Sequence, residues 1–118
     1  MSLIAVAFPI LPGKTEAWRE WMGEVNGARR EEFDESRRSA GVHERTFLQS
    51  TPMGDVVIVT LEGDDPGRAF GKMLGSGDDF AKWFAAKAKE IHGVDLTQRQ
   101  TVSIPELVVD TDRVPASA

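Results

Sequence analysis

Val56-Val57-Ile58-Val59-Thr60-Leu61 and, near the start of the chain, Leu3-Ile4-Ala5-Val6-Ala7-Phe8 decide how this protein folds. Each run is apolar on both alternating sets of side chains, the pattern of a strand covered on its two faces. Pro9 has no N–H to give to a ladder, so the first strand is expected to end or bulge there. Working outward, Thr51-Pro52-Met53-Gly54 is turn chemistry, and it joins the 55–62 strand to a preceding one, Val42 to Ser50, as a hairpin. The Val42 strand carries Val42, Glu44, Thr46 and Leu48 on one face and His43, Arg45, Phe47 and Gln49 on the other. A fourth strand is expected within Thr101 to Val109, at a sheet edge because of Pro105.

Between these strands the spacing turns helical. From Lys14 to about Ala40, Trp18, Trp21, Met22, Val25, Phe33 and Ala40 fall on one side at roughly 100° per residue. Gly13 is the expected N-cap and Gly41 the stop, and Gly23 and Gly27 invite a kink or break between them. After the hairpin, Asp65-Pro66 starts a helix that buries Phe70, Met73 and Leu74. Gly75-Ser76-Gly77 interrupts it, Asp78 caps a second segment burying Phe80, Trp83, Phe84 and Ile91, and Gly93 ends that.

The order strand–helix–strand–strand–helix–strand makes this an α+β protein of the ferredoxin-like βαββαβ kind. It predicts an antiparallel sheet with helices on one face, strands one and three central, strands two and four at the edges. The domain is expected to occupy 1–109, with a flexible tail over 110–118. One layer of helices leaves the other face of two doubly apolar strands in water. Five or six aliphatic side chains there would each forgo roughly 1.5–3 kcal/mol. A second copy, paired sheet to sheet through that face, is the simplest cover.

Composition removes several classes of function. The 118 residues carry a formal charge of -5, and an acidic chain without a basic stripe is a poor partner for nucleic acid or an anionic membrane. With no cysteine and two histidines, neither a disulfide framework nor a Cys- or His-based metal site is expected. Leu3 to Leu11 is too short to span a bilayer and lacks the pattern of a secretory signal, so a cytoplasmic location is expected.

The segments Pro12-Gly13-Lys14-Thr15-Glu16-Ala17-Trp18 and Ala40-Gly41-Val42-His43-Glu44-Arg45-Thr46-Phe47 resemble a small branch of the dimeric α+β barrel superfamily. Asp65-Pro66 and Phe80-Ala81-Lys82-Trp83-Phe84 extend that resemblance over most of the chain. It implies a homodimer with a small-molecule pocket between sheet and helices, but no single reaction. Members include cofactor-free monooxygenases, muconolactone isomerases, haem-handling enzymes and plain ligand-binding proteins. The haem-degrading relatives place an Asn on the first strand, where this chain has none.

Polar groups on apolar helix faces mark where chemistry would sit. Arg29 falls in the Trp18–Phe33 stripe, with Glu32 near its edge. In one reading Arg29 pairs with Glu32 or Glu44 and orders the helix on the sheet. In the other it anchors a small apolar or amphipathic anion in a pocket walled by Trp21, Phe33, Trp83 and Phe84, and its neutralisation by protein carboxylates would count against that ligand. His43 and Arg29 are the catalytic candidates of the alternative, a cofactor-independent monooxygenase or isomerase acting on an aromatic or lactone substrate. His92, in the last turn of its helix, reads as a structural partner of the helix C-terminus. No cofactor or metal is expected.

Overall fold

A computed structural model describes residues 2–96 and 104–112. Along the chain they form β1 (Ser2–Pro9), α1 (Thr15–Asn26), α2 (Arg30–Ala40), β2 (Val42–Thr51), β3 (Gly54–Gly63), α3 (Pro66–Gly75) and α4 (Asp79–His92). The class is α+β. The sheet is antiparallel in the order β1-β3-β2, with Val59 of β3 opposite both Val6 of β1 and Thr46 of β2.

Pairing fixes which side chains face the helices. Ile4, Val6 and Phe8 stand opposite Leu61, Val59 and Val57, and Val6, Val57 and Leu61 are essentially sealed from water. Every sheet residue packed into the two apolar clusters of the described chain lies on this face, with Val42 and Leu48 joining from β2. Over it lie Trp18, Trp21 and Val25 of α1 and Ala88 and Ile91 of α4. The outward set, including Leu3, Ala5, Ala7, Phe47, Val56 and Ile58, has no described helix against it, and Leu3 and Phe47 are more than half exposed at 55% and 52%.

The punctuation read from the sequence accounts for most helix ends. Asp65 and Asp78 cap α3 and α4 by accepting from the backbone N–H of Arg68 and Ala81. Gly41 and Gly93 close α2 and α4 in the left-handed region, φ 77° and 71°. The expected kink is a full break: α1 stops at Asn26, and α2 starts three residues beyond Gly27. A β-carbon on Gly27 would stand 2.9 Å from the carbonyl oxygen of Gly23, so only glycine fits this turn unchanged. The N-cap of α1 is Lys14 and not Gly13, which instead takes φ 79° in the preceding turn.

Two expectations about the sheet are not met among the described residues. Residues 104–109 of the expected fourth strand form no helix and join no ladder, while 101–103 lie outside the described residues. Among the described residues β1, expected in the centre, is therefore paired on one side only, and β3 alone on both. The tail expected over 110–118 is described for 110–112, which are exposed.

Candidate functional site

The break at Gly27 resets the phase of the helical stripe. Residues N-terminal to it (Trp18, Trp21, Val25) point into the domain as the 100° spacing predicts, but Arg29 arrives as the N-cap of α2 and not as a member of that face. One turn further on, Phe33 and Arg37 at i, i+4 share the inward side of α2. Arg37 is the buried arginine, 8% exposed.

Arg37 meets Glu44 from the inward face of β2, with Nε donating to Oε1 at 2.7 Å and side-chain exposures of 10% and 6%. Its guanidinium also lies over the rings of Phe33 and Phe84, 4.3 and 4.7 Å from their centroids, and donates to Ser36 Oγ at 2.9 Å. A buried cation therefore has a carboxylate, a hydroxyl and two aromatic faces around it, the compensation an interior charge needs.

Beneath this pair, between the inward face of the sheet and the helices, is a cavity of about 310 Å³. Its walls are mainly apolar; Phe8 and Val59 contribute from the sheet, Trp21 and Phe33 from α1 and α2, and Phe84 and Ala85 from α4. Its polar lining includes Arg37, Glu44, Thr46 and His92. A closed core would have left no such space.

His92 is held in one tautomer. Nδ1 stands 2.9 Å from the carbonyl oxygen of Pro9, which can only accept, so Nδ1 carries the proton and Nε2 keeps a free lone pair. Burial pushes its pKa below the ordinary 6.5 by disfavouring the charged ring, with the Pro9 hydrogen bond opposing in part. The ring sits between Phe8 and Trp21, at centroid distances of 5.5 and 6.1 Å. Trp21 adds an unusual feature: its Nε1 is buried with no hydrogen-bond partner, while the indole stands edge-on to Phe84 at 4.8 Å. A buried donor left this way costs about 1–3 kcal/mol.

The sequence candidates separate into three places. Trp21, Phe33 and Phe84 come together in the cavity wall. Arg29, Glu32 and Trp83 form a second cluster outside that lining, where Arg29 makes a two-pronged pair to Glu32 at 2.9 and 3.0 Å and lies 4.3 Å over the Trp83 ring. The Glu32 hydrogen bond holds Arg29 further above its usual pKa and Glu32 below its own. This is the Arg29–Glu32 alternative of the sequence reading, a clamp at the start of α2 whose charge is already neutralised. His43 is exposed on the outward face of β2, opposite Glu62 of β3 and across the sheet from the cavity. The residues not singled out as site groups were Arg37, Glu44 as its partner, and His92 as a cavity base. Two signals pointed to the pair: the i, i+4 spacing of Phe33 and Arg37, and the place of Glu44 among the inward residues of its strand.

Among the described residues no helix is long and apolar enough to cross a membrane, and no group of three or more His, Cys, Asp or Glu side chains is placed to hold a metal ion. Comparison with curated proteins finds no match to the chain. A family model, however, matches residues 1–114, so the chain belongs to that family, DUF6176, a family of unknown function.

Proposed function

We propose that the chain is a homodimeric, ferredoxin-like α+β barrel protein that holds one small, mainly apolar molecule in the sheet–helix cavity of each subunit. The observation that carries this reading is the cavity itself: about 310 Å³ at the centre of a small domain, walled by aromatic and aliphatic side chains. A small apolar molecule in a space of that size would gain dispersion contacts with the Phe, Trp and Val side chains around it. The negative charge expected of the ligand is not carried forward, because Arg29 and Arg37 are each held by a carboxylate of the protein. A neutral ligand with a hydrogen-bond acceptor suits the unpartnered Trp21 Nε1 better. The dimer rests on the outward face of the sheet, where Leu3 and Phe47 stand in water beside Ala5, Ala7, Val56 and Ile58.

The test is a thermal-shift panel pairing neutral aromatic and lactone compounds with their carboxylate analogues, run on the natural chain and on Ala85→Leu, which narrows the cavity. Neutral compounds should raise Tm in the natural chain only. No stabilising compound, or equal shifts in both proteins, would contradict the proposal.

One observation favours a catalytic reading of the same cavity. The free Nε2 lone pair of a buried, neutral His92 is placed to take a proton from a hydroxyl or an activated carbon. This supports a cofactor-independent monooxygenase or isomerase acting on an aromatic or lactone substrate, with His92 in the role first given to His43 or Arg29. Turnover of such a substrate that His92→Gln abolishes and His43→Gln spares is the expected result; a turnover indifferent to His92 would remove it.

A further inference from the structure

We propose that residues 104–110 of one chain add a strand to the free edge of β1 in a second copy. The edge comes first. Ser2–Pro9 is eight residues long, pairs with β3 on one side, and has no described strand on the other. From Leu3 to Phe8 it has no charged residue, and its only proline stands at the end. Folded proteins protect such edges with charges, bulges, prolines or a covering element, because an open row of N–H and C=O groups pairs with any extended chain that reaches it. Being apolar on both side-chain sets, β1 also has the composition of an inner strand.

The second half of the match is in the same chain. Residues 104–110 form no helix or turn and belong to no ladder. They expose Ile104, Leu107, Val108 and Val109 at 44%, 70%, 80% and 65%. Alternation puts Ile104 and Val108 on one side and Leu107 and Val109 on the other, so the segment is apolar on both faces, as a neighbour of β1 must be. Once extended, seven residues reach about 23 Å, close to the span of an eight-residue edge. Pro105 is tolerated because the added strand is itself outermost. Within one chain both halves stay unpaired, and the radius of gyration, 15.0 Å, exceeds the roughly 13.5 Å of a compact chain of this length. The proposal rests on the homodimer, which brings a second open edge within reach of the arm.

Because the chain has no cysteine, disulfide trapping is clean. Ala5→Cys on β1 is combined with Leu107→Cys or Val108→Cys, which covers the two registers that centre the arm on the edge, and the single variants are also mixed. Under mild oxidation the double variants should run on a non-reducing gel at twice the 13.0 kDa chain mass. The mixed single variants should give the same joined species, linked between position 5 of one chain and 107 or 108 of the other. A link within one chain, or no link in a sample that sediments as a dimer, overturns the arm exchange and leaves the dimer standing. A sample that sediments as a monomer overturns both.

Discussion

Arg37 and Glu44 show how much of the interior depends on single side chains. Each is nearly sealed from water, so removing one leaves the other as an uncompensated charge. Arg37→Met is expected to cost about 3–5 kcal/mol in urea unfolding, and adding Glu44→Leu should restore most of that, since a fully apolar pair has no charge to desolvate. Failure of the second substitution to restore stability would mean that Glu44 has another partner of equal weight. His92 gives a pH dependence with a definite sign. Its pKa in the folded protein lies below the ordinary 6.5 of the unfolded chain, so between those values the unfolded chain binds the extra proton. Stability is therefore fullest above pH 6.5 and is lost as pH falls towards the folded value. Tm measured from pH 7.5 to 5.5 should decline in the natural chain and decline less in His92→Gln; parallel curves would count against a buried, neutral ring. At this scale the sequence was only partly legible. It placed Trp21, Phe33 and Phe84 in one wall, but it carried the helical phase straight through Gly27 and so put Arg29, and not Arg37, at the pocket.

Elements were far more readable, because local chemistry sets their ends. Asp65-Pro66, Asp78, Gly41 and Gly93 each terminate a helix for a reason visible in the residue itself, a cap acceptor or a left-handed backbone. Asp78→Ala is expected to destabilise the protein by about 1 kcal/mol, by freeing the Ala81 N–H at the start of α4. Amide exchange should rise in the first turn of that helix and not in α1; an unchanged α4 would show that the cap bears no weight. Registers followed from alternation: Val57, Val59 and Leu61 had to share a face, and that face took the core. The fourth strand was not legible in this way. The apolar, β-branched residues of 104–109 suit a strand, but the partner that would turn them into one is not encoded in the segment.

At the scale of the whole molecule, the described residues cover one face of the sheet and leave the other open. That asymmetry follows from strands apolar on both sides and helices on one, and it supports the proposed dimer. Phe47→Asp places a charge among Ile58 and its neighbours on the outward face. Sedimentation at micromolar concentration should show the natural chain as a dimer and the variant shifted at least tenfold towards monomer, with Tm of the variant subunit little changed because Phe47 packs against no helix. Equal masses for the two proteins would remove the sheet face as the interface. The covered face holds the cavity, which is more consequential for function than the dimer, since every chemical role proposed for His92, Trp21 and the aromatic wall depends on a molecule entering it. Native mass spectrometry of the chain as purified from its host, beside Ala85→Leu, measures that directly. The natural chain should carry an added mass from a small, mainly apolar compound that the variant has lost. Bare protein of identical occupancy in both samples, with no added compound taken up by either, would contradict a ligand-binding cavity.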